Sequence, residues 1–242
     1  MGEATFWAFL ASASLFVGAG VALAAHPSQR VTGLVMAFGA GALISAVAYD
    51  LVLEALEFSE AFELAMWMAV GGVVFLAGDI LVSNTGGRGR KRSTGEQAEG
   101  SPLAIVLGAA LDGVPESLVI GLSLLMDGTV SASFLVATFL SNLPEAMAAT
   151  VGLRRAGWRS RRIWGLWAIV VAISTVSAAI GYAVFDRLAG ANGAATQAFA
   201  AGAVITMLAD TMMPEAFEFG GRLVGLSTLA GFVVALAVSG VA

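Results

Sequence analysis

Asp112 and Glu116 stand four residues apart in a long apolar run, and Ser141 and Glu145 repeat that spacing in the next run, with Asn142 beside them. Residues four apart share a face of a helix. If the two runs are neighbouring helices, their faces offer three carboxylates together with hydroxyl and amide oxygens. Three carboxylates in a low dielectric repel one another and hold on to protons. A divalent cation relieves that conflict, and oxygen ligands at this density suit one. The alternative is that each acid pairs with a buried base or stays protonated. Pairing has no partner here, because no lysine or arginine falls inside any apolar run.

Three Pro-Glu pairs, Pro115-Glu116, Pro144-Glu145 and Pro214-Glu215, account for most of the five prolines in the chain. A proline inside a helix leaves the carbonyl four residues back without its usual donor. A carboxylate near the centre of a bilayer costs roughly 2.5–3.5 kcal/mol on insertion scales. Both defects together, three times over, point to a polar site at membrane depth. The three prolines are expected to kink their helices and free carbonyls that help coordinate.

The elements that must hold this site are membrane-spanning helices. Of 242 residues, 58% are hydrophobic and 12% charged, and the mean hydropathy is +0.88. That composition exceeds what a soluble domain can bury. The absence of cysteine excludes disulfides, thiolate ligands and cysteine nucleophiles. The one histidine, His26, is placed in a loop. A helix needs about 20 apolar residues to cross the hydrocarbon. Eight segments qualify, at 5–25, 31–56, 64–83, 102–126, 130–153, 162–185, 194–217 and 223–242. The Gly-, Ser- and charge-rich stretch 84–100 reads as a flexible loop.

Eleven of the 12 basic residues fall on one side of this arrangement. They are Arg30, the cluster Arg88, Arg90, Lys91 and Arg92, the cluster Arg154, Arg155, Arg159, Arg161 and Arg162, and Arg222. Only Arg187, next to Asp186, falls on the other. The basic side is expected in the cytoplasm, with both termini outside. Trp7, Trp67, Trp158 and Trp164 near span ends fit an aromatic belt. Span 1 lacks the basic start of a signal peptide and carries Glu3 there.

The chain repeats itself. Segments 37–58 and 198–219 align without gaps and agree at 11 of 22 positions, among them Phe38/Phe199, Gly41/Gly202 and Glu54/Glu215. Spans 2 and 7 cross in opposite directions, so the copies are inverted. Gly113-Val114-Pro115-Glu116 and Asn142-Leu143-Pro144-Glu145 form a second, shorter match on spans 4 and 5. Inverted repeats that bring interrupted helices together at mid-membrane are a mark of secondary transporters. The expected fold is an all-α polytopic membrane protein of a single domain, with eight transmembrane helices in a 3+2+3 inverted-repeat arrangement. Repeats 1–83 and 160–242 surround the helix pair 101–153.

Span 4 (LDGVPESLVIG) and span 5 (SNLPEAMAATVG) resemble the paired motifs of the ZIP (Zrt-, Irt-like) family of divalent metal transporters, where each helix typically reads His-Asn-x-Pro-Glu-Gly. The segment ADTMMPEAFE on span 7 resembles a third helix of that family. The resemblance implies that Glu116 and Glu145 ligate a metal, with Asp112 and Ser141 in the histidine positions and Asn142 retained. It also implies transport toward the cytoplasm. Both motif histidines are replaced, Gly113 stands for the first Asn, and span 6 carries no acid inside, only Ser174 and Thr175. One central metal site is therefore expected rather than two. Zinc is the cargo by resemblance, and the all-oxygen set admits manganese, iron(II) or magnesium.

A second tier of residues is deep enough to line a pathway: Tyr49, Asp50 and Glu54 on span 2, and Thr206, Asp210 and Glu215 on span 7. The repeat sets Glu54 and Glu57 near one mouth and Glu215 and Glu218 near the other, where acids attract cations. Tyr49-Asp50 is also half of an intramembrane aspartyl protease signature, but the other half is only Leu76-Ala77-Gly78-Asp79, without the first glycine. A serine protease of the rhomboid kind lacks its base, since no histidine sits in a span. The expectation is a carrier in the inner membrane, not an enzyme, working by alternating access. Its partners are the bilayer and metal ions, without nucleic acid or organic cofactor, and the pattern admits a homodimer. A carrier of another cation is the competing reading.

Overall fold

The computed structural model describes residues 2–87, 94, 102–188 and 193–239. The basic cluster at 88–92 and the turn at 190–192 lie outside the described residues, as do the side chains of Asp186 and Arg187. The chain is all-helical where described. In order it forms α1 (Gly2–Ala25), α2 (Gln29–Ala46), α3 (Ala61–Val82), α4 (Pro102–Asp127), α5 (Ala132–Arg155), α6 (Ser160–Leu188), α7 (Gly193–Met207), α8 (Met213–Gly220) and α9 (Val224–Ser239). Seven helical stretches are long and apolar enough to cross a membrane, the last of them Gly193–Ser239 with 47 residues.

A straight helix of that length would span about 70 Å, more than twice the hydrocarbon thickness. It does not run straight. Gly221 has φ +70, and Gly221–Leu223 form a single 3-10 turn. The backbone of Gly220 lies against Gly33 at the start of α2, while Ala198 clusters with Ala55 at its far end. The α7–α8 stretch therefore runs antiparallel to α2. Beyond the turn, Ser227 donates to the Leu34 carbonyl at 2.6 Å and Phe232 meets the Tyr49 ring at 6.2 Å. The α9 helix thus runs back parallel to α2.

Among the described residues, three π-helical turns widen these rods. One continues α2 over Val47–Leu53, one continues α3 over Ser83–Gly87, and one joins α7 to α8 over Leu208–Met212. The helix of span 3 thus extends through Asn84–Gly87, into the stretch that composition assigns to a loop. Thr85 helps by donating to the Val82 carbonyl at 2.9 Å.

The prolines behave differently from one another. Pro115 and Pro144 sit inside α4 and α5, which stay single helices. Pro214 follows directly on the π turn, inside the continuous helical stretch 193–220.

Packing is pairwise. The helix α2 packs chiefly on α9, α3 on α7, α1 on α5 and α4 on α6. Glycines seat all four of these contacts, with Gly18 against the Leu143 carbonyl for α1–α5 and Gly121 against the Ala178 carbonyl for α4–α6. A side chain on Gly41 would overlap the Thr228 carbonyl, and one on Gly231 the Phe38 carbonyl. In the same way Gly202 faces the Met68 carbonyl and Gly71 the Phe199 carbonyl. Gly41/Gly202 and Phe38/Phe199 are aligned positions of the repeat, and so are Val47 and Leu208, where two of the π turns begin. Aligned positions therefore take matching contacts. Trp167 ties α6 to α5 by donating from Nε1 to Thr150 Oγ1 at 2.9 Å.

Candidate functional site

The two motif helices, α4 and α5, barely touch each other; α4 leans on α6, and α5 on α1 and α2. Between them lies a small cavity, lined by four helices. Each helix contributes one stripe at helical spacing. From α4 come Gly113, Glu116, Ser117 and Ile120; from α5 come Thr138, Asn142 and Glu145. Ser12 from α1 and Ser174 from α6 close the ring. The room suffices for about one water-sized group.

The polar lining is almost wholly withdrawn from solvent. Glu116 is 2% exposed and Glu145 4% exposed. Ser117, Thr138, Asn142 and Ser174 are buried with them. The four lining helices carry lysine or arginine only near their ends. Ser117 donates to the Gly113 carbonyl of its own helix at 2.7 Å. Among the described residues, the Thr138 and Ser174 hydroxyls have no hydrogen-bond partner. A buried hydroxyl left so is costly, and a polar group in the cavity would relieve that cost. A Cβ at position 113 would stand 2.7 Å from Ser174 Oγ, so glycine there leaves that hydroxyl its space.

The expected ligands fall into two groups. Glu116, Glu145 and Asn142 come together around the cavity. Ser141 is fully buried at its edge and points its hydroxyl at Glu116 Oε1, 3.4 Å away, while lying 2.9 Å from the Thr138 carbonyl. Asp112 is 1% exposed but does not line the cavity. It occupies on α4 the edge position that Ser141 occupies on α5. Among the described residues no group of three or more histidine, aspartate or glutamate side chains is close enough to hold a metal ion. Of the three expected carboxylates, Glu116 and Glu145 line the cavity and Asp112 does not. Nor does Leu140, whose carbonyl Pro144 frees, line the cavity; that oxygen lies against Gly39 of α2.

The second-tier residues stand away from the cavity. Tyr49 is exposed and its ring meets Phe232. Asp50 accepts from Ser131 at 3.0 Å and from Ser133 at 2.5 Å. Thr206 donates to the Gly202 carbonyl of its own helix at 2.9 Å and lines a shallow groove between α3 and α7. Asp210 is exposed and close enough to Asp79 for their charges to interact. Glu54 is half-buried, whereas Glu215 is 3% exposed and does not face an open mouth. The reversal at Gly221 folds α9 back along α2, so the Glu215 end of the rod is not a free helix end.

Thr138 and Ser12 are polar lining residues that ligand-type reasoning passes over. Thr138 stands four residues before Asn142 and seven before Glu145, on one helical face with both.

The geometry defines a helical bundle, apolar enough for a membrane, with an enclosed polar cavity between two proline-bearing helices. No family model matches the chain, and no curated protein does.

Proposed function

We propose that the chain is an eight-pass carrier of divalent metal cations, built as a 3+2+3 inverted repeat and working by alternating access. The observation that carries this reading is the meeting of Glu116, Glu145 and Asn142, from two different helices, around one enclosed cavity with unpartnered hydroxyls. Two buried carboxylates lining one small cavity favour a cation there. The donors are all oxygen, which suits manganese, iron(II) or magnesium as well as the zinc that the ZIP resemblance implies. Ser141 positions Glu116, and Asp112 stands next to the ligands rather than among them. The matching contacts of Gly41 and Gly202, and the folding back of α9 along α2, support the eight-pass inverted repeat.

The arginine-rich elbow after α5 is assigned to the cytoplasm, both termini to the outside, and the protein to the inner membrane. The direction of transport, inward, rests on the ZIP resemblance. An aspartyl protease needs its two acids side by side. Asp50 is instead held by serines and Asp79 is near Asp210, which argues against that chemistry. Calorimetry on the solubilised protein tests the site. One binding site per chain is expected, abolished in Glu116→Gln/Glu145→Gln. Two tight sites, or binding that survives the double substitution, would overturn it.

A further inference from the structure

Asp50 sits in the π turn that ends α2, yet its carboxylate belongs to a cluster made by other helices. Oδ2 accepts from Ser131 Oγ at 3.0 Å and from Ser133 Oγ at 2.5 Å. The two α5 serines touch each other at 2.9 Å, and Ser131 Oγ accepts from the Phe134 N–H as the N-cap of α5. One carboxylate thus fastens the end of α2 to the first turn of α5. Hydrogen bonds to an ionised acceptor are the stronger kind.

The position of this cluster matters. Ser133 precedes the cavity-lining Thr138 by five residues, about 7.5 Å along the helix. Phe134, Val47, Leu51 and Ile120 belong to one buried cluster, and Ile120 itself lines the cavity. The serine cluster therefore lies beyond these apolar residues, on the side of the cavity remote from Arg154–Arg162, where it joins the end of α2 to the start of α5. A π turn has the looser hydrogen-bonding ladder often found at functional sites.

We propose that Asp50 is a latch: its bonds to Ser131 and Ser133 keep this mouth shut, and their release opens the cavity to that side. The inference rests on the carrier reading for its purpose, but its test needs neither metal nor transport. The chain has no cysteine, so a single introduced thiol reports alone. Ala11→Cys places one in the cavity wall. A membrane-impermeant maleimide is applied to the full chain in vesicles, from the Ser131 side and separately from the arginine side.

With Asp50→Ala, and separately with Ser131→Ala/Ser133→Ala, labelling from the Ser131 side should accelerate roughly tenfold. Labelling from the arginine side should stay level or slow. Unchanged rates in both variants overturn the latch. So does acceleration from both sides, which marks a merely loosened bundle. Loss of metal uptake in Asp50→Ala with unchanged labelling also overturns it, since Asp50 would then capture ions instead. If labelling responds as expected and no metal moves in any variant, the latch stands and the carrier reading falls. The serine pair serves if Asp50→Ala fails to fold.

Discussion

Ser141 on α5 directs its hydroxyl toward Glu116 Oε1 on α4, across 3.4 Å, while the Thr138 carbonyl of its own helix lies nearer, at 2.9 Å. A hydroxyl has one proton, and the shorter contact holds most of it. Glu116 is therefore oriented by α5 without being neutralised by it. Substituting Ser141→Ala should leave the carboxylate buried and nearly in place. The expected cost is about 1 kcal/mol or less, seen as a rise of up to about fivefold in the Km for metal uptake with kcat little changed. A hundredfold loss would make Ser141 a ligand.

The glutamates should behave in the opposite sense. Buried carboxylates without metal are held at a cost, so Glu116→Gln/Glu145→Gln should raise the apparent Tm of the metal-free protein. The same variant should lose the further rise in Tm that saturating metal gives the natural chain. Thermal unfolding in detergent, with and without metal, reads both. A lowered metal-free Tm would show that the acids are structural.

The orphaned hydroxyls carry a related expectation. Thr138→Val removes a buried donor that has no partner, so the metal-free fold should be unchanged or stabilised, by about 1–3 kcal/mol at most. Metal affinity should fall at the same time, because the occupant of the cavity loses a polar neighbour. Isothermal titration separates the two effects. Affinity equal to that of the natural chain would remove Thr138 from the site.

Matching contacts predict matching damage. Leucine at Gly41 or at Gly202 must displace the Thr228 or the Met68 carbonyl, and each should destabilise the bundle by about 1–3 kcal/mol. Gly165 meets nothing within 4 Å, so Gly165→Leu is the neutral control. Unfolding measurements that find one of the first two substitutions harmless would break the equivalence of the repeats.

Much of this was legible in the chain, and the failures have physical causes. Hydropathy located the helices because the bilayer demands long apolar runs, and the identities at Phe38/Phe199 and Gly41/Gly202 marked close helix contacts. The π turns were not legible, because a π turn and an α turn use the same residue types. Asp112 shows the limit of the i, i+4 rule. Four residues amount to slightly more than one turn, and that small rotation separates the cavity wall from its edge. Glu215 looked like a helix-end acid because nothing in its own segment reveals that α9 folds back along α2. The bonds from Ser131 and Ser133 to Asp50 join residues some eighty positions apart, beyond any local pattern.

Uptake into proteoliposomes across zinc, iron(II), manganese, cadmium, magnesium and calcium tests the central claim most directly, with Glu116→Gln/Glu145→Gln as the control. The expected result is uptake of one or more of these ions by the natural chain and its loss in the double variant. If no ion moves faster through the natural chain than through the variant, the two buried glutamates do not carry metal across the membrane.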